Sequence, residues 1–146
     1  MLEKKIIREI EIGNNVILVG PADAGKTYFV ENCLIPKLRK MSIPFIFFFN
    51  CEEVDSNKKT GVLIIDEVEI LFDQDFLQKL HPDELPYYSD DYLKKVKGWH
   101  KKLSKLDGMV LGVVTRNKRE EIDNIVQNLK YLEWNNKLAI GIEFKI

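Results

Sequence analysis

The sequence predicts an α/β fold in which helices cover both faces of a mainly parallel, five-stranded sheet. Continuous apolar runs rich in β-branched or aromatic residues are typical of strands buried on both faces, and they occur at residues 16–19, 45–49, 62–65, 109–114 and 138–144. Stretches with apolar residues at helical spacing lie between them, at residues 28–40, 92–106 and 119–134. Strands that alternate with helices indicate parallel strands joined by right-handed crossovers.

A further short strand is predicted at the N-terminus. Apolar and polar residues alternate from Ile6 to Ile12, and Gly13-Asn14-Asn15 follows as a turn signal. We therefore expect this segment to form a β-hairpin with the run at residues 16–19.

Length and charge limit the classes of protein that the chain can represent. Its 146 residues fit one domain, 1–146, and 22 Lys+Arg against 23 Asp+Glu give a net charge of −1. This balance excludes binding to nucleic acid by bulk charge alone. No apolar run reaches the ~18–20 residues that a membrane span needs, and no secretory signal is visible, so we expect a cytoplasmic protein without a membrane partner.

A glycine-rich segment joins the run at residues 16–19 to the helix predicted from residue 28. It reads Gly20-Pro21-Ala22-Asp23-Ala24-Gly25-Lys26-Thr27 and satisfies the pattern G-x-x-x-x-G-K-S/T. Glycines let the backbone approach a phosphate closely, and the N–H groups and the helix that follows attract its negative charge. In this pattern the lysine reaches the β- and γ-phosphates, and the Thr27 hydroxyl binds Mg²⁺. We expect this segment to bind the phosphates of a nucleotide.

Two carboxylates follow the apolar run at residues 62–65. At the carboxyl end of a parallel strand, Asp66 would face the same crevice as Lys26 and hold Mg²⁺ together with Thr27. Glu67 is the candidate base that orients and deprotonates the attacking water. Acidic residues also begin helices, and this is the alternative interpretation of the pair.

Polar residues also follow the run at residues 109–114. In families that carry a similar Asp-Glu pair, this strand lies between the phosphate-loop strand and the acidic strand, and that resemblance implies that Thr115 reports whether the γ-phosphate is present. An arginine here would stabilise charge that develops in the transition state, and Arg116 and Arg119 are the candidates. Solvated cations at the start of a helix are the alternative.

These residues resemble a known family. The phosphate loop, the Asp66-Glu67 strand and the Thr115 strand look like those of P-loop ATPases with a catalytic glutamate, and within them the FtsK/HerA group of DNA-pumping ATPases. The similarity extends over nearly the whole chain. It implies a three-layer P-loop NTPase core with RecA/AAA+-like strand order, ATP and Mg²⁺ as cofactors, and a ring of subunits that moves DNA. The cofactor-binding residues that we expect on this basis are Gly20, Pro21, Ala22, Asp23, Ala24, Gly25, Lys26, Thr27 and Tyr28.

One predicted helix carries a basic face that bears on DNA binding. Its lysines recur at helical spacing opposite an apolar stripe, and they are Lys94, Lys97, Lys101 and Lys105. Such a face could follow a phosphate backbone in the pore of a ring. The alternative is a solvated helix face that keeps a nearly neutral protein in solution.

Three other functions fit the same motifs. The chain could be a nucleotide switch of the AAA+ or STAND type, a small phosphotransferase similar to polynucleotide kinases, or a non-catalytic nucleotide-binding subunit. Release of phosphate with and without DNA separates these alternatives.

Overall fold

The computed structural model describes residues 2–48, 59–66, 94, 98, 101, 107–127, 133–134 and 137–145. Within these residues, six strands form one sheet: β1 (Asn15–Gly20), β2 (Phe45–Phe48), β3 (Lys59–Ile65), β4 (Asp107–Thr115), β5 (Glu133–Trp134) and β6 (Lys137–Glu143). Their order across the sheet is β2-β3-β4-β1-β6-β5. All neighbours run parallel except β5, which pairs antiparallel with β6 at the edge.

The strand order agrees with the sequence prediction where it matters for a site. Strand β4 lies between β1 and β3, with Gly20 opposite Thr115 in one pair and Ile65 opposite Gly112 in the other. The carboxyl ends of these parallel strands therefore meet at the same edge of the sheet. The predicted α/β class and the five-stranded parallel sheet are confirmed.

Helices lie on both faces of the sheet. They are α1 (Leu2–Ile12), α2 (Lys26–Phe29), α3 (Ile35–Lys40) and α4 (Arg119–Gln127), and Lys94, Gly98 and Lys101 are also helical. Residues of α1, α2 and α3 share a buried cluster with alternate residues of β1, such as Val16 and Leu18. Side chains alternate along a strand, so Ile17 and Val19 point to the opposite face, where α4 packs on β1 and β6.

The N-terminal segment is a helix, so the predicted β-hairpin strand is wrong. Helix α1 buries Ile6, Ile7 and Ile10 against the sheet, whereas Ile12 is exposed. The buried residues recur at helical spacing, and this stripe prevails over the alternation that ends at Ile12.

The turn signal after this segment ends a helix instead of joining two strands. Gly13 has φ +102°, its N–H donates to the carbonyl of Ile10 at 3.0 Å, and the N–H of Asn14 donates to the carbonyl of Glu9 at 3.0 Å. This pair of bonds is the Schellman motif, in which glycine takes the left-handed position after the last helical residue. Because Gly-Asn also favours tight turns, the dipeptide alone does not distinguish the two structures.

Between Lys26 and Lys40 the chain is helical throughout, which confirms the helix predicted there. A π-helical turn, Val30–Leu34, separates α2 from α3. Pro36 has no N–H for an ordinary helical bond, and its ring crowds the carbonyl four residues earlier. The wider turn directly before this proline accommodates both effects.

The helix predicted over residues 119–134 is correct only in its first part. Helix α4 is assigned up to Gln127, and Glu133 and Trp134 belong to β5, so the predicted end is wrong. The short β5 carries too few residues for a strand pattern to be visible. No helix in the described part of the chain combines the length and apolar character needed to cross a membrane.

Candidate functional site

The loop between β1 and α2 lines a cavity at the carboxyl edge of the sheet. The cavity measures about 370 Å³, and its described lining residues are Asp23, Ala24, Gly25, Lys26, Thr27, Tyr28, Asp66 and Thr115. They come from the predicted phosphate loop, from the end of β3 and from the end of β4. Residues far apart in the sequence are thus brought together because three parallel strands end side by side.

Two left-handed residues shape the loop. Gly25 caps the start of α2 with φ +97°, and Asp23 has φ +58°. Glycine adopts this region without strain, and aspartate tolerates it better than most residues. The loop therefore turns sharply into the helix at Gly25.

Lys26 is buried at the centre of this loop. Its side chain is 6% exposed, and its Nζ donates to the carbonyl oxygens of Gly20 at 2.9 Å and Pro21 at 2.6 Å. An ammonium group is costly to bury unless polar atoms surround it, and these carbonyls supply that environment. A Cβ at Gly20 would lie 3.5 Å from Cδ of Lys26 and 3.1 Å from Cβ of Phe144, so glycine here leaves space for the lysine stem.

Thr27 and Asp66 are in direct contact although 39 residues separate them. The hydroxyl of Thr27 donates to Oδ2 of Asp66 at 2.9 Å. Asp66 follows β3 directly, and its N–H donates to the carbonyl of Phe48 at 3.0 Å, which attaches its backbone to β2. The hydroxyl oxygen of Thr27 and a carboxylate oxygen of Asp66 therefore lie side by side in the cavity.

The end of β4 attaches to the same loop. Thr115 lies opposite Gly20 in the sheet and lines the cavity, and the N–H of Arg116 donates to the carbonyl of Gly20 at 3.0 Å. Nη1 of Arg116 donates to the carbonyl of Thr115 at 2.9 Å, so the guanidinium folds against its own strand. Of the two residues, Thr115 lines the cavity and Arg116 is not among the described lining residues.

Asn117 is a site residue that the sequence reasoning missed. Its Oδ1 accepts a hydrogen bond from the N–H of Ala22 at 2.9 Å, across 95 residues of sequence. The predicted loop residues Gly20, Pro21 and Ala22 are not among the described lining residues, and their backbone groups bond to Lys26, Arg116 and Asn117. The position of Asn117, two residues after the end of a strand beside β1, was the available signal.

Arg119 forms ion pairs on the face of the sheet that α4 covers. Its guanidinium pairs with Glu143 at 2.5 Å and with Asp123 at 2.7 Å, and Lys145 also pairs with Glu143 at 3.3 Å. The hydrogen bond from Arg119 lowers the pKa of Glu143 below its ordinary value, and the same bond raises the pKa of Arg119. These contacts join α4 to β6 and give Arg119 a structural role in this chain.

Three predicted functional residues lie outside the described residues: Glu67, Lys97 and Lys105. Lys94 and Lys101 are each helical and exposed.

The described residues thus form one cavity lined by a buried lysine, a hydroxyl–carboxylate pair and a glycine loop at the edge of a parallel sheet. No protein-family model, no curated protein and no solved structure matches this chain. The structure itself shows an α/β fold in which five strands of the sheet run parallel.

Proposed function

We propose that this protein is a Mg²⁺-dependent ATPase of the P-loop type. The observation that carries the proposal is the 2.9 Å hydrogen bond between Thr27 and Asp66, at the mouth of a loop that contains the buried Lys26. The loop pattern, the position of Asp66 directly after β3 and its contact with Thr27 in the cavity all support the proposal. A glycine-rich turn without this function would not require that Asp66 contact Thr27.

The lysine and the loop suit a phosphate chain. The Lys26 ammonium now bonds to the carbonyls of Gly20 and Pro21, which are neutral acceptors. A phosphate oxygen is a stronger, charged acceptor, so the ammonium gains a charge-assisted hydrogen bond when it turns toward the ligand. Residues Asp23 to Thr27 line the cavity beside it, and their N–H groups would bind the same phosphates.

The oxygen donors suit Mg²⁺. This ion prefers hard oxygen ligands and is commonly bound by one or two carboxylates together with substrate phosphates. Thr27 and Asp66 would hold it here, and the ion would neutralise charge on the β- and γ-phosphates. Within the described residues, no cluster of three His, Cys, Asp or Glu side chains forms an all-protein metal site. The two oxygen ligands from Thr27 and Asp66 agree with a metal ion that the protein and the substrate phosphates bind together.

Glu67, directly after Asp66, is the base in this proposal. It takes a proton from water as the water oxygen bonds to the γ-phosphorus and the bond to the β-phosphate oxygen breaks, giving ADP and phosphate. Thr115 contacts the γ-phosphate from the end of β4. Arg116 completes the catalytic set by turning from the Thr115 carbonyl toward the developing charge.

Hydrolysis by Glu67→Gln tests this assignment, with Glu11→Gln on the exposed face of α1 as the matched control. We expect the Glu67 variant to lose turnover by about 100-fold or more while it still binds Mg-ATP, because only proton transfer is removed. The control should hydrolyse ATP at the wild-type rate. Full turnover by the Glu67 variant refutes the base assignment.

The product of the reaction separates the alternative functions. ADP and free phosphate indicate an ATPase, transfer of the phosphoryl group to a nucleic-acid end indicates a kinase, and tight binding without turnover indicates a switch or a non-catalytic subunit. Each outcome uses the same cavity, so each is measured on the wild-type protein with Mg-ATP and a DNA oligonucleotide.

Movement of DNA by a ring of these subunits is a second candidate function. The specific observation in its favour is that Lys94 and Lys101 are both helical and exposed. Lys97→Glu with Lys101→Glu should abolish any stimulation of ATP hydrolysis by DNA, and Lys4→Glu with Lys5→Glu on α1 provides a charge-matched control. Stimulation that survives the first pair refutes this DNA contact.

A further inference from the structure

Tyr28 stands apart from its neighbours on the helix that follows the loop. Its side chain is 70% exposed, whereas Phe29 and Val30 are 6% and 1% exposed and belong to the core cluster. The backbone at Tyr28 is also fixed, because Nδ2 of Asn32 donates to its carbonyl at 3.0 Å. An aromatic ring is therefore held in solvent at a defined point, one residue after Thr27.

Tyr28 differs in chemical character from the other residues that line the cavity. Lys26, Thr27 and Asp66 suit phosphates and their metal ion, and the other described lining residues apart from Tyr28 are Asp23, Ala24, Gly25 and Thr115. Among the described lining residues, Tyr28 alone offers a flat aromatic face. A neutral phenol adds little to the binding of a triphosphate, but its ring is suited to a planar base.

We propose that Tyr28 determines base specificity by stacking on the nucleobase, so that the site accepts purine nucleoside triphosphates. This inference rests on the proposed function, because it takes the phosphates to lie against the loop. Stacking uses the π-face of a base and not its hydrogen-bond pattern, and the two fused rings of a purine present a larger face than the single ring of a pyrimidine. The site therefore prefers ATP and GTP over CTP and UTP, and Tyr28 discriminates little between adenine and guanine.

Isothermal titration calorimetry with nucleotides and with tripolyphosphate isolates this contact. Mg-ATP carries phosphates and a base, whereas Mg-tripolyphosphate carries phosphates alone. Tyr28→Ala should raise the Kd for ATP and for GTP by about 5- to 150-fold, which corresponds to the loss of one base–aromatic contact. The Kd for tripolyphosphate should change by less than about two-fold, since no base is present to stack.

Tyr28→Phe keeps the ring and removes the hydroxyl, so it should bind ATP as tightly as the wild type. Equal weakening of ATP and tripolyphosphate by Tyr28→Ala would overturn the inference, because the side chain would then act on the loop. Unchanged ATP affinity would overturn it as well. If the wild type binds tripolyphosphate and ATP equally well, the phosphate site stands and base stacking is refuted; if it binds neither, the proposed function itself fails.

Discussion

Replacement of Gly141 by alanine tests how closely α4 approaches the sheet. A Cβ at this position would lie 2.4 Å from the carbonyl oxygen of Ile125, 2.9 Å from its carbonyl carbon and 3.0 Å from Cα of Val126. All three atoms belong to the α4 backbone, so no side-chain rotation relieves the contact. Overpacking of this kind costs about 3 kcal/mol, and alanine regains about 0.5–1 kcal/mol through its smaller backbone entropy.

The net loss for Gly141→Ala is then about 2 kcal/mol, which lowers the Tm by roughly 6–10 °C in a domain of this size. Thermal unfolding followed by circular dichroism measures it. Gly98→Ala is the matched control, because within the described part of the chain nothing lies within 4 Å of a Cβ there. As Gly98 is helical, the control should gain up to about 1 kcal/mol. A Gly141 variant as stable as the wild type would show that α4 does not lie this close to β6.

Three further changes have defined outcomes. Ser42 takes φ +56° at the end of α3, so Ser42→Gly should stabilise the protein by about 0.5–1 kcal/mol in urea unfolding; a loss of stability would refute that backbone conformation. Asn117→Ala removes the acceptor for the Ala22 N–H and should weaken Mg-ATP binding about 2- to 12-fold by calorimetry, whereas unchanged affinity would show that the bond does not order the loop. Arg119 lowers the pKa of Glu143, so the stability difference between wild type and Glu143→Gln should be complete above the ordinary pKa of 4.5 and disappear as acid protonates Glu143; a difference that persists in acid would contradict this.

Much of the fold follows from patterns that are local in the sequence. Strands buried on both faces need unbroken apolar runs, and β1, β3 and β4 all carry one. The loop is also local, since eight consecutive residues define it. These features are visible without knowledge of what packs against them.

The errors arose where one local signal fits two structures or where the contact is distant. Gly13-Asn14 serves equally as a hairpin turn and as a helix end, and only the burial of one face of α1 decides between them. The contact between Asn117 and Ala22 spans 95 residues, and the position of Asn117 just after a strand does not by itself indicate which loop residue it contacts. The ion pair between Arg119 and Glu143 likewise depends on where α4 lies on β6, which the local sequence does not indicate.

The position of Asn117 also suggests how the loop and β4 act together. Residues of the loop bond to consecutive residues after β4, Gly20 with Arg116 and Ala22 with Asn117. A ligand bound at Thr115 would therefore lie directly beside the bonds that hold the loop.

Calorimetric titration of Mg-ATP into the wild type and into Lys26→Ala tests the central claim most directly. Lys40→Ala, which removes an exposed lysine from the end of the same helical stretch, is the control for charge. The account predicts saturable 1:1 binding by the wild type and by the Lys40 variant, and at least about 10-fold weaker binding by the Lys26 variant. Absence of ATP binding by the wild type, or equal binding by all three proteins, would contradict it.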